Sequence, residues 1–314
     1  MSLYVLRRLG LGVLIVGSAM ALLFGMIHLV PGDPASIALG PRATEAMRED
    51  FRVRMGLDRP IPVQFANFVA HALRGDLGKD VWSNQSVARM IWIQLPHTLA
   101  LTGLGIGWAI ALGIPLGCFS AVRRGTWLDR VTGVLSVGAI AVPSFIVAIY
   151  ALLVFAVWLK WFPAIGAGEA ADPVDRLWHL VLPAFAIGLG WVGFLARLVR
   201  ASMLEVLGEN YIRAARAIGL PERRIVYHCA LKLAILPTVA LLGVGVGRLL
   251  SGAVFAEIVF TRPGLGRLVF DGVNTRNYPL VMGTVLVTTW LFVLSTLVAD
   301  LLVALLDPRI RERL

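Results

Sequence analysis

Val131–Leu159 reads VTGVLSVGAIAVPSFIVAIYALLVFAVWL, without one Lys, Arg, Asp or Glu. About 20 apolar residues in a helix cross a hydrocarbon core of about 30 Å, and this stretch is longer than that. Four more blocks free of those charges follow the same pattern: Leu9–Val30, Met90–Val122, Leu177–Ala196 and Asn277–Ala299. A sixth, Leu233–Phe255, is interrupted only by Arg248. The expected spans are 9–30, 98–122, 132–157, 180–199, 233–255 and 280–303.

Composition agrees. Hydrophobic residues are 58% of the chain, charged residues 15%, and the mean hydropathy is +0.80. A soluble domain of this length needs more charge to cover its surface. Lipid cannot satisfy an open backbone group, and a membrane barrel would show short alternating strands instead of long apolar blocks. The expected fold class is therefore an all-α integral membrane protein with six transmembrane helices. Glycines within the spans allow close helix approach. Pro115 and Pro143 are expected to kink the second and third spans.

The net charge of +10 resembles a nucleic-acid signal until it is sorted by segment. Pieces 1–8, 123–130, 197–232 and 307–314 hold 15 basic and 6 acidic residues. Such an excess on one set of loops is the positive-inside pattern, and it puts both termini inside, N-in and C-in, with no nucleic-acid partner. Arg7-Arg8 and the first apolar block lack a clear small-residue cleavage site before Pro31-Gly32-Asp33-Pro34, so the block reads as a retained span. Cys118 and Cys229 fall on the inner side, where thiols stay reduced.

A long external segment, Pro31–Pro96, follows the first helix. Thr44–Met55 reads as an amphipathic helix with Met47, Phe51 and Met55 on one face and Gly56 as its stop. Val63–Leu73 reads as a second helix, ended by Gly75-Asp76-Leu77-Gly78. The segment is either a docking surface or a passive cap. Trp158, Trp161, Phe162 and Trp178 suit an interfacial belt. Arg262-Pro263-Gly264-Leu265-Gly266-Arg267 reads as a tight external turn, with His97 as a capping or packing residue.

Loop 201–232 is the largest inner element. Leu204, Leu207, Tyr211, Ala214 with Ala215, and Ile218 recur at helical spacing. Gly219 can end the helix in left-handed geometry, Pro221 cannot continue it, and a second short helix is expected near Glu222–Lys232. Such a helix is either an interfacial element held by anionic lipid or a peg inserted into a cytoplasmic partner.

The stretch Tyr211-Ile212-Arg213-Ala214-Ala215-Arg216-Ala217-Ile218-Gly219-Leu220 resembles the "EAA" loop of binding-protein-dependent ABC importer permeases. Ala214, Ala215, Gly219 and Leu236-Pro237 match the pattern. Arg213 stands where the motif has Glu, and the stretch to Leu-Pro is long. Both features are similar to the dipeptide, oligopeptide and nickel branch. Further matches run in order along the chain: Val30-Pro31-Gly32-Asp33-Pro34, Gly56-Leu57-Asp58-Arg59-Pro60, Arg74-Gly75-Asp76-Leu77-Gly78, Leu95-Pro96-His97-Thr98, the Arg262–Arg267 turn and Leu306-Asp307-Pro308-Arg309-Ile310-Arg311. They resemble the first, or "B", of the branch's two paired permeases.

The resemblance implies a type I ABC importer permease-like fold, with 1–96 as first span plus external segment and 97–314 as the core permease domain. It implies import of di- or oligopeptides across a bacterial inner membrane, with glutathione or nickel as alternatives. It implies a second homologous permease, two cytoplasmic ATP-binding subunits and a periplasmic or lipid-anchored solute-binding protein as partners. Tyr211, Arg213, Ala214, Ala215, Arg216, Gly219 and Leu220 would couple the chain to the ATPases. No G-x-x-x-x-G-K-[ST] loop occurs, so ATP and Mg²⁺ would belong to the partners and this chain would carry no cofactor and no catalytic residue. The competing class is a secondary transporter or channel, for which Arg248 is a possible pathway residue and Asp300 the other charge within a span. No catalytic or metal-binding constellation is seen in the five scattered histidines.

Overall fold

The computed structural model describes residues 2–29, 35–36, 43–55 and 58–306. The Pro31–Pro34 match, the Gly56 helix stop, the segment 307–314 and the side chains of Phe51 and Met55 lie outside the described residues. The described secondary structure is helical, apart from one isolated bridge between Lys79 and Ser86. The helices are α1 (Ser2–Leu29), α2 (Glu45–Met55), α3 (Ile61–Ala72), α4 (Val87–Val122), α5 (Trp127–Ala141) and α6 (Ser144–Ala151), the last continuing as π-helical Leu152–Trp158. After these come α7 (Pro173–Leu207), α8 (Asn210–Ala217), α9 (Glu222–Arg224) with π-helical Ile225–Ala230, α10 (Leu231–Ala234), α11 (Leu236–Val259), α12 (Leu265–Asn274) and α13 (Tyr278–Leu306). Five described helices are long and apolar enough to cross a membrane, and a bent pair makes a sixth. The chain is an all-α integral membrane protein.

The third span differs most from expectation. It is two helices, α5 and α6, meeting at 98°. Proline bars the helical region to the residue before it, so Val142 is extended (φ −85°, ψ 121°) and the chain turns there. Pro115, by contrast, lies within the unbroken run of α4. The second span starts earlier than expected, at Val87, so Leu95-Pro96-His97-Thr98 lies inside a helix rather than at its entry. Arg262–Arg267 is more than a turn, because α12 begins at Leu265.

The chain divides into two compact units. One comprises Met1–Val5, Leu99–Arg262 and Leu294–Leu314; the other comprises Leu6–Thr98 and Pro263–Val293. In the first unit α7 is the central helix. Leu180, Ala184 and Ile187 of α7 pack with Leu101 of α4 and with Leu249, Ala253 and Ala256 of α11. Glycine makes the closest crossings possible. A Cβ on Gly117 would lie 2.5 Å from the Ala196 carbonyl of α7, and one on Gly193 would lie 2.5 Å from the Ser136 carbonyl of α5. The elbow of α5 and α6 forms with α7 an open groove of about 750 Å³, lined almost wholly by apolar residues such as Leu135, Tyr150, Phe155 and Phe185.

In the second unit Val87 and Ile91 pack with Leu265, Leu268 and Leu280. Buried Asp80 pins the preceding loop. It accepts from the Ser83 backbone N–H and hydroxyl, both at 2.6 Å, and from the Asn277 side-chain amide. Thr98 Oγ1 accepts from the Leu265 N–H at 2.8 Å, fastening the start of α12.

Candidate functional site

The inner loop is built from a helix that stops, a short helix and a left-handed turn. α7 runs to Leu207, past the expected end of its span, and breaks at Gly208. Glu209 is extended and α8 begins. Gly219 has φ +79°, the region glycine occupies without Cβ strain. Its N–H donates to the Arg216 carbonyl at 3.0 Å, and the Leu220 N–H donates to the Ala215 carbonyl at 3.2 Å. This pair of bonds satisfies the last carbonyls of the helix. Across the turn Arg216 grips Glu222, with Nη2 donating to Oε1 at 2.7 Å and Nε to Oε2 at 3.3 Å. That bond holds the Glu222 carboxyl below its ordinary value, and it holds the Arg216 guanidinium above its own. Partial desolvation, with Cys229 and Glu209 nearby, pushes the Tyr211 phenol up although the residue is 41% exposed.

The break at Gly208 means that Leu204, Leu207, Tyr211, Ala214 and Ile218 do not share one helix face. The anchor of α8 is Ile212, wholly buried among Val199, Met203, Ile225, Val226 and Ala230. Ala215 and Leu220 lean on the same cluster. Tyr211, Ala214 and Ile218 turn the other way and are exposed, Ile218 by 77%. Arg213 and Arg216 are exposed beside them. Sequence reasoning missed Ile212. Its only signal was a lone branched residue one place off the assumed stripe.

Asp129 was also missed. It occupies the first turn of α5 behind the cap Thr126 and is buried. Arg200 of α7 donates to both its oxygens at 2.6 and 2.8 Å, Ser120 of α4 donates at 2.5 Å, and the Gly125 N–H donates at 3.0 Å. One carboxylate thus joins three helices just ahead of α8. Arg248 is separate. It lies midway along α11 and is exposed, and no described residue is bonded to it.

Residues 113–312 match the family described as binding-protein-dependent transport system inner membrane component, and residues 1–102 match its N-terminal counterpart. The chain belongs to this family. Among the relatives of this permease is a glutathione transport system permease protein GsiC of Pectobacterium atrosepticum, 38% identical over all of both chains. A probable peptide ABC transporter permease protein y4tP of Sinorhizobium fredii is 35% identical, covering 99% of this permease and 100% of the relative. The dipeptide transport system permease protein DppB of Alkalihalophilus pseudofirmus is 34% identical, with 99% and 100% covered. A solved structure of the MetNI methionine ABC transporter in inward-facing conformations superposes with TM-score 0.58 at 21% identity. It covers 70% of this permease and 96% of that chain. That likeness shows a type I ABC importer permease fold. The permease is a multi-pass protein of the bacterial inner membrane and a transport component.

Proposed function

We propose that this permease is the membrane subunit of an ATP-driven importer of small peptides, coupled to its ATPases through α8. The observation that carries the reading is the exposed apolar face of Tyr211, Ala214 and Ile218. It stands on a helix whose other side is locked by Ile212 and whose end is fixed by Gly219. A rigid helix with an uncovered apolar face on the inner side fits a groove on a partner. Arg213 and Arg216 flank the contact, and Ala215 and Leu220 hold its base.

The partners of this reading are a second homologous permease, two cytoplasmic ATP-binding subunits that supply ATP and Mg²⁺, and a periplasmic or lipid-anchored solute-binding protein. This chain holds no cofactor. Dipeptides and oligopeptides are the favoured cargo, with glutathione next and nickel after it. Arg248 is the candidate pathway residue. Reconstitution in liposomes tests the reading. Uptake of labelled dipeptide requires the second permease, the ATPases and the loaded binding protein together. Uptake by this chain alone, without ATP, rejects it in favour of a secondary transporter.

A further inference from the structure

Arg248 is twelve residues from the start of α11 and eleven from its end. At about 1.5 Å per residue it lies roughly 17 Å from either end of the span. An arginine side chain, about 7 Å long, snorkels to a headgroup only from near a helix end. Arg248 therefore stays at mid-membrane, where facing lipid is strongly disfavoured. The surroundings define a face. Leu241, Val244, Arg248, Ser251 and Phe255 recur at three- and four-residue spacing and are all exposed. Leu249, Leu250, Ala253 and Ala256 are buried on the other side. Ser251 donates its hydroxyl to the Gly247 carbonyl at 3.2 Å, so its oxygen still accepts. Phe255 lies 5.8 Å from Phe145, at the broken span. The face is apolar except for one cation and one hydroxyl.

We propose that Arg248 receives the carboxylate of the cargo as it passes mid-membrane; this rests on the peptide reading above. Peptides differ in every side chain but end in a carboxylate, and glutathione carries carboxylates too. A guanidinium holds a carboxylate through two parallel N–H donors. One fixed cation thus recognises the class, and the apolar neighbours Leu241, Val244 and Phe255 impose no polar demand on the variable side chains.

The test uses the complete importer in liposomes with Arg248→Gln and Arg248→Lys. The probes are trialanine and its C-terminal amide, with rates divided by binding-protein occupancy measured by calorimetry. The wild type is expected to move the acid at least about tenfold faster than the amide. Arg248→Gln is expected to lose that preference by slowing the acid alone, and Arg248→Lys to keep most of it. Preference intact in Arg248→Gln overturns the proposal, as does equal loss of acid and amide. Loss of the second permease on purification of Arg248→Gln also overturns it, because the charge then serves an ion pair between subunits. A wild-type complex that moves neither probe is a failure of the peptide reading instead.

Discussion

Arg200 of α7 donates to both carboxylate oxygens of Asp129, at 2.6 and 2.8 Å, across seventy-one residues of sequence. Ser120 and the Gly125 N–H fill the remaining acceptor sites. Asp129→Ala would leave a half-buried guanidinium and the Ser120 hydroxyl without their acceptor. The expected loss is about 2 kcal/mol, less than for a dry pair because Arg200 keeps some contact with water. Thermal unfolding in detergent measures it. An unchanged midpoint would show that the clasp adds nothing to stability.

That clasp also marks where sequence reading ran out. The six apolar blocks announced the spans, because a membrane demands length and lack of charge. Arg200 reads as a loop charge in sequence, since its neutralising partner is far away in the chain, so the end of α7 was placed too early. The start of α4 was set at 98 although the uncharged run opens at Met90, because Leu95-Pro96 reads as the close of the external segment. The helix in fact runs through it from Val87. Pro143 was visible as a kink, yet hydropathy carries no direction and cannot tell a bend from a 98° break. At the candidate site Gly219 and Pro221 were legible because their backbone chemistry is local. Ile212 was not, because its burial depends on Val199, Met203 and Ile225.

Orientation is testable by labelling. Single cysteines at Gln85, Ala170 and Arg124, each exposed, replace Cys118 and Cys229 as the only thiols. An impermeant thiol reagent applied outside is expected to modify the first two and spare the third. Modification at Arg124 from outside would invert the topology.

Gly219→Ala isolates backbone geometry from packing. No atom lies within 4 Å of the added Cβ, so the cost comes from φ +79° alone. A loss of about 1 kcal/mol is expected, with Asn at the same position costing less. Alanine without any loss in thermal stability would mean that the turn relaxes freely.

The Arg216–Glu222 bond gives the loop a dependence on acid. Glu222 has a depressed pKa in the folded chain, so its contribution is present above the unfolded value and disappears as pH falls through the folded one. Both side chains are largely exposed, which keeps the effect small. Hydrogen exchange of the peptide covering 210–224 is expected to quicken relative to Glu222→Gln as the pH drops into that range. Parallel behaviour of the two proteins at all pH values would deny the bond any role.

The coupling role of α8 is separable from its own packing by comparing two adjacent alanines. Ala215 leans on the cluster around Ile212, so Ala215→Arg forces a charge against the chain's own core and confuses misfolding with lost docking. Ala214 is exposed beside Tyr211 and Ile218, and Ala214→Arg leaves that core untouched. If α8 fills a groove on an ATPase, Ala214→Arg places a long charged chain in a contact shaped for a methyl group. Co-purification of the ATPases and cargo-stimulated ATP hydrolysis in nanodiscs are then expected to fall at least about tenfold, with thermal unfolding of the permease unchanged. If α8 only rests on anionic lipid, the added arginine strengthens attraction by about 1 kcal/mol and leaves the ATPases in place. Full retention of ATPase and stimulation in Ala214→Arg would therefore reject docking through this face. Loss in Ala215→Arg alone would trace the defect to the Ile212 cluster.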